Sequence, residues 1–297
     1  GMTTDREGLS GDKTAFGAKI DYPNDVWDIA LTYLRIGDGF DPAMGFVPRT
    51  GIHKLSGGAN YRYYPEGSSW MRMMYYEFMP TLVWGLDGEW ESYRVFLAPI
   101  NWRLESGDRI EINANPEGER LVEPFEISDG VVIDPGSYHF MRYRLEWAMA
   151  AKRKVSGQIT WWFGDFYDGD MDQIEATVRI RPSELVIFDV TAARNVGRVE
   201  AGKIDQKVFG TRVLANVSPD LQLTSFVQYD DESKQLGTNT RLRWTFHPLG
   251  DLFLVYNYNV VDTADAPGSM SGGVNRPRRW TLDATQFMVK IQYALRR

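Results

Sequence analysis

QLGTNTRLRWTFHPLGDLFLVYN, residues 235–257, decides the fold. Its first half alternates, with Leu236, Leu242, Trp244 and Phe246 on one face and Asn239, Arg241, Arg243 and Thr245 on the other. That is the two-residue period of a β-strand. The alternation breaks at His247-Pro248-Leu249-Gly250-Asp251 and resumes at Leu252. Proline has no amide to give to a strand ladder and the acid favours solvent, so the break reads as a tight hairpin. The same device recurs at Ser218-Pro219-Asp220-Leu221 and at Arg181-Pro182-Ser183-Glu184-Leu185. Connections at the opposite strand ends are longer. One rim of tight turns facing one rim of large loops is the layout of a transmembrane β-barrel.

The pattern extends in both directions. In the last strand, QFMVKIQYALRR (286–297), Phe287, Val289, Ile291, Tyr293 and Leu295 oppose Gln286, Lys290 and Gln292. Upstream, Ile174, Ala176, Val178 and Ile180 oppose Gln173, Glu175, Thr177 and Arg179. A soluble sandwich alternates in the same way, so alternation alone does not choose. Length does more. Segments 70–84, 90–105, 138–151 and 203–217 exceed the roughly 5 to 6 residues usual in soluble sheets, whereas a tilted membrane strand needs about 9 to 11. Aromatics gather toward strand ends at Trp84, Trp90, Trp161, Trp162, Tyr229, Tyr256 and Tyr258, where amphipathic rings sit at headgroup depth.

Counting back from the C-terminus gives strands near 285–296, 251–259, 235–246, 220–230, 203–217, 184–195, 172–181, 154–164, 137–151, 107–115, 90–105, 69–84, 50–63, 26–37 and 13–21. The long connections, 37–49, 115–137, 164–172, 195–203 and 261–280, then share one side and are expected to be extracellular. The short ones are expected to be periplasmic. Closed bacterial barrels have even strand numbers, so this odd set implies a further strand upstream. The fold class is all-β, an antiparallel up-and-down transmembrane β-barrel of about 14 to 16 strands. Residues 13–297 form it, behind a disordered segment at 1–12.

Composition bounds the function. The 297 residues carry a net charge of -7 and 43% hydrophobic residues. No apolar run reaches the length of a membrane helix, and a polar lumen dilutes the hydropathy of a barrel. Cysteine is absent, which removes disulfides, thiolate metal sites and thiol nucleophiles. The acidic balance argues against nucleic acid, which requires basic surface. The opening GMTTDREGLSGDKTAFG has no apolar core of a signal peptide. Gly1 before Met2 reads as an added residue, and the chain as a fragment or an engineered mature form.

The stretches IGDGFDPAMGFVPRTGI (36–52), LVEPFEISDGVVIDPGSYHF (121–140), GDFYDGD (164–170), SPDLQLTSFVQYDDES (218–233) and NTRLRWTFHPLGDLFLVYN (239–257) carry a family resemblance over nearly the whole chain. It resembles the outer-membrane barrel domain, of unassigned function, found behind carbohydrate-binding family 9-like modules in bacterial envelope proteins. The resemblance implies residence in the bacterial outer membrane, lipid and the barrel-assembly machinery as partners, and a neighbouring module that binds oligo- or polysaccharide. It brings no catalytic residues. The chain departs from the usual aromatic terminus of such barrels, ending Leu295-Arg296-Arg297.

Candidate chemistry is sparse. Asp165, Asp168, Asp170 and Asp172 cluster in GDFYDGDMD, offering oxygen ligands of the kind that hold Ca²⁺. The segment lacks the spacing of an EF-hand, and Asp-Gly equally forms solvated turns. No other cofactor is expected. A glycosidase pair could be drawn from those acids plus Glu123 or Glu126, at a separation the sequence does not give. His53, His139 and His247 lie far apart, without metal-ligand spacing, and no nucleophile elbow occurs. Arg142, Arg144, Arg179, Arg181, Arg241 and Arg243 share the polar parity of their strands with Glu146 and Glu175. They are either an arginine row that favours anions and acidic sugars or an Arg/Glu ladder that satisfies interior charge. Loops 115–137 and 261–280 are long enough to plug a lumen. The expected function is an outer-membrane barrel acting as anchor or pore for a polar solute. The competing class is a secreted soluble β-protein that binds or hydrolyses glycans.

Overall fold

The computed structural model describes residues 1–4, 8, 10–43, 45–263 and 280–295. Its strands are β1 (Met2–Thr3), β2 (Thr14–Pro23), β3 (Trp27–Ile36), β4 (Ile52–Tyr63), β5 (Met71–Gly85), β6 (Trp90–Leu104), β7 (Arg109–Leu121), β8 (Phe125–Ser128) and β9 (Val131–Ile133). They continue as β10 (Gly136–Ala148), β11 (Val155–Phe166), β12 (Gly169–Ile180), β13 (Val186–Val199), β14 (Gly202–Ser218), β15 (Leu221–Asp230), β16 (Gln235–His247), β17 (Gly250–Asp262) and β18 (Trp280–Tyr293). No helix occurs among the described residues. Sixteen strands form one up-and-down sheet in the order β1 to β7 and then β10 to β18, while β8 and β9 make a separate hairpin.

Every strand expected from the sequence is present, and β1 is the sixteenth. It pairs antiparallel with β2, Met2 opposite Ala15 and Thr3 opposite Thr14. Part of the 1–12 segment, expected to be disordered, is therefore strand, while positions 5–7 and 9 lie outside the described residues. Two of the expected long loops are corrected. β11 and β12 run on to Phe166 and back from Gly169, and β13 and β14 to Val199 and from Gly202. Segments 164–172 and 195–203 thus turn through two residues each. Tyr167 adopts the left-handed φ of 51° that the first turn needs. A Cβ on Gly169 would overlap the Arg198 carbonyl, so only glycine lets these two strands approach. The long connections that remain are 37–51 and 122–135, while 264–279 lies outside the described residues.

The chain divides into two compact units, residues 1–147, 161–172 and 197–204 in the first and 148–160, 173–196 and 205–297 in the second. In the first unit, register places Tyr22, Ile29, Ala59, Phe78 and Leu97 in one row on one face, with Ala18, Tyr33, Leu55, Leu82 and Tyr93 in a parallel row. The opposite face carries Asp28, Asn60 and Glu77 in one row and Thr32, Ser56, Thr81 and Arg94 in another. In the second unit, Leu223, Leu242, Leu254 and Val289 share a row on the apolar face, and Thr224, Arg241, Val255 and Met288 a row on the other.

Burial is inverted relative to a soluble sheet. Ile20 is 75% exposed and Ile291 69%, whereas Asn113 and Asn115 are fully buried and Glu111 and Glu146 only 3% exposed. A sandwich would gather Val178, Leu242, Val289 and Ile291 into one core. Here Val178, Val289 and Ile291 are exposed and Leu242 half-buried. Apolar clusters in the first unit lie near strand ends. One joins Ile36, Phe40 and Ile52. The other joins Val131 and Ile133 of β9 to Met171, Val199 and Ile204. Met171 shares strand parity with Gln173 and Glu175, so the β8–β9 hairpin folds onto the polar-parity face. That accounts for the burial of Val131 and Ile133 within this connection.

Candidate functional site on the polar face

The polar face of the first unit is written in RIEINANPEGER, residues 109–120. Alternation sends Arg109, Glu111, Asn113, Asn115, Glu117 and Glu119 one way, and Ile110, Ile112, Ala114, Pro116 and Gly118 the other. Arg144, from β10, donates to Glu111 at 2.8 Å and to Asn113 at 3.1 Å, and it pairs with Glu146. Arg109 pairs with Glu111 at 3.2 Å and also with Glu146. Two guanidinium groups and two buried carboxylates thereby form a closed square. Asn101 donates to Glu77 at 2.7 Å beside it, and Arg94 pairs with Glu117 at 3.0 Å. Both atoms of the Asn115 amide lack a hydrogen-bond partner among the described residues. Left unpaired in an apolar core, each such atom would cost about 1–3 kcal/mol.

The expected arginines separate by what they touch. Arg142 is buried and donates to the carbonyls of Gly164 at 3.0 Å and Met171 at 2.5 Å, clamping the end of the β11–β12 hairpin. Arg144 belongs to the square, and its guanidinium also lies 5.5 Å from the ring centre of Trp162. Trp162 is therefore on the polar face with Arg94, also over its ring at 5.7 Å, while neighbouring Trp161 points the other way. In the second unit, Arg179 makes a two-pronged pair with Asp189 at 2.6 and 2.8 Å. Arg243 reaches Asp251 at 3.1 Å. Arg241 lies over Phe253 at 4.7 Å, and Arg181 donates to the Ala151 carbonyl. Glu175 is exposed. The geometry is that of paired and stacked charges within each unit.

The four aspartates are dispersed by the hairpin that replaces their loop. Asp165 accepts from the Met141 amide at 3.3 Å, Asp168 from the Glu200 amide at 3.2 Å, and Asp172 from the Trp161 indole at 2.8 Å. Asp170 sits in β12. No group of three His, Asp or Glu side chains forms a metal set among the described residues. Glu126 accepts from the Gly130 amide at 3.0 Å and so closes the β8–β9 turn. Glu123 lines a rim cleft of about 650 Å³ with Glu89, Glu91 and Glu119. In that cleft Glu91 is paired with Arg49, Glu89 with Arg120, and Glu119 accepts from the Tyr167 hydroxyl at 2.8 Å. Burial first, and then the bond to Glu119, push the Tyr167 phenol well above its ordinary pKa.

The histidines belong to aromatic stacks. His53 lies between Tyr33 and Trp84, its Nδ1 2.6 Å from the Tyr33 hydroxyl. His139 stacks on Trp90 at 5.1 Å, with Nδ1 3.0 Å from the Tyr93 hydroxyl. At the opposite strand ends Trp27 meets Tyr61 at 4.6 Å, and Tyr61 meets Tyr76 at 6.1 Å. His53 and Tyr61 are on one strand, β4, eight positions apart, which is about 27 Å along it and about 20 Å at a tilt of about 40°. Between the two aromatic bands this face carries Ile29, Leu31, Leu55, Gly57, Ala59, Phe78, Pro80 and Leu82, without a charge. In the second unit the pairs Trp244–Phe246 and His247–Tyr293 mark one end, and Tyr229–Trp280 the other.

The residues that sequence reasoning missed are Arg109, Glu111, Asn113 and Asn115. Their signal was visible as six consecutive polar side chains at alternate positions, and it was obscured by ending the strand at 115, ahead of Pro116. Compared with known proteins, the chain matches no protein-family model and no curated protein.

Proposed function

We propose that the sheet closes into a β-barrel of the bacterial outer membrane that anchors a neighbouring module or passes a polar solute. The observation that carries this reading is the inverted burial, with an uncharged apolar band bounded by aromatic rings on one face and a buried Arg/Glu/Asn network on the other. The band height of about 20 Å is close to the roughly 25 Å apolar belt of such barrels. Closure follows from the solvent, since an open edge of unpaired amides costs several kcal/mol per group in hydrocarbon. Lipid and the barrel-assembly machinery are then its partners. The resemblance drawn from the sequence motifs adds a carbohydrate-binding module upstream.

The β8–β9 hairpin sits on the polar-parity side at strand ends, where it narrows access to that face. The role therefore ranges from plugged anchor to restricted pore. The test is heat-modifiable gel mobility of the chain refolded in detergent, followed by conductance in a planar bilayer. A mobility shift with steady conductance supports the pore, and a shift without conductance supports the anchor. Monodisperse folding without detergent would overturn the membrane reading in favour of a soluble glycan-binding β-protein.

A further inference from the structure

On the polar face of the second unit, four neighbouring strands bring amide side chains into one patch. Register aligns Phe226, Asn239, Asn257 and Gln286 across β15, β16, β17 and β18. Two positions along the strands, a second row holds Gln228, Gly237, Asn259 and Ala284. Members of a row stand about 4.8 Å apart and the rows about 7 Å apart. Together they line a cleft of about 370 Å³, within the range of small-ligand sites. Small residues make its depth, since a Cβ on Gly237 would lie 3.1 Å from the Asn259 side-chain oxygen.

The amides are oriented by one another. Asn239 donates to the Asn257 oxygen at 2.5 Å, and Asn257 donates to the Gln286 oxygen at 3.3 Å. This order presents an acceptor at the Asn239 end of the row and a donor at the Gln286 end. Phe226, stacked under Arg212 at 5.4 Å, adds an aromatic edge. Among the described residues, the one charged side chain lining the cleft is Asp230, which accepts from the Glu232 amide at 2.9 Å. Of the nearby cations, Arg243 pairs with Asp251 and Lys207 with Asp231, while Arg212 and Arg241 stack over the Phe226 and Phe253 rings.

We infer that this cleft binds an uncharged, polyhydroxylated solute, a neutral oligosaccharide. Each hydroxyl donates and accepts, as each amide does, so the two lattices satisfy one another without counter-charge. An ion would give up its hydration chiefly for neutral dipoles, with one carboxylate in the cleft and the neighbouring Arg212 and Arg241 guanidinium groups stacked on rings, at a net cost. The inference rests on the reading of this face as the barrel interior, and the experiment separates the two. The full chain is refolded in an amine-oxide detergent, whose headgroup carries no sugar, and its fold is checked by heat-modifiable mobility. Calorimetric titration then uses maltotriose as the neutral probe and trigalacturonate as the acidic one, against wild type and N239A/Q286A. The expected result is maltotriose binding in preference to trigalacturonate, weakened about tenfold or more in the variant, as loss of two neutral hydrogen bonds implies. Heat modifiability stays unchanged in that variant. A folded wild type that binds no maltotriose, prefers the acidic probe, or binds equally well after the substitutions overturns the site while leaving the barrel standing. Loss of detergent dependence instead sinks the barrel, and the titration still reads the cleft.

Discussion

At the scale of single residues, the charges on the polar face are held by geometry more than by number. Arg144 faces Glu111 and Glu146 with little water about it. Removing one member of a buried pair leaves an uncompensated charge, which costs about 3–5 kcal/mol. Arg144→Met is expected to lower unfolding free energy by about 3 kcal/mol, at the low end because Arg109 still pairs with both acids. Urea or guanidinium titration of refolded protein reads this directly, and an unchanged midpoint would refute the network. Asp12, ahead of β2, gives a pH signature instead. Its carboxylate accepts from the Thr14 hydroxyl, then from Arg35 and the Thr14 amide, and these hold its pKa down at about 2. Because the folded value is depressed, the contact is fully present above the ordinary carboxylate range near 3.8 and is lost as pH falls toward 2. Amide exchange at Thr14 should accelerate over that interval in wild type and be pH-insensitive there, after correction for intrinsic exchange, in Asp12→Asn.

At the scale of elements, the strands and the three proline turns were legible, and two of the connections read as long were not. A two-residue period repeated across Leu242, Trp244 and Phe246 is imposed by the pleat itself, so local sequence suffices to read it. The turn at Tyr167 and Asp168 depends on something local sequence hides, the close approach of β12 to β13 at Gly169. Its acidic flank therefore read as a long loop, although Asp165, Asp170 and Asp172 stand in strands. The buried square was hidden for a related reason, since it joins β7 to β10 across the inserted hairpin. That hairpin leads to a further expectation. Val131 and Ile133 bury it against Met171, Val199 and Ile204, so replacing 123–134 by a short Gly/Ser link should uncover the polar face without disturbing the sheet. Planar-bilayer conductance is expected to rise severalfold, with heat-modifiable mobility retained. Equal conductance with and without the hairpin would mean that it does not restrict access.

At the scale of the whole molecule, the question is which solvent the apolar face meets, and the sheet's internal bonds do not answer it. Leu31 lies between the aromatic bands of the first unit, beside Ile20 on β2 and Gly57 on β4, and is 49% exposed. If that face meets lipid, Leu31→Arg places a cation near mid-depth and costs about 2–4 kcal/mol. If it meets water, an exposed substitution of this kind changes stability by no more than about 0.5 kcal/mol. Thr32→Arg, one residue on and on the polar face, controls for strand propensity and charge. Unfolding from lipid vesicles should therefore show a large loss for Leu31→Arg and a small one for Thr32→Arg. Two equally mild variants would remove the membrane from the account, because no other property of this site distinguishes arginine at position 31 from arginine at position 32 by so wide a margin.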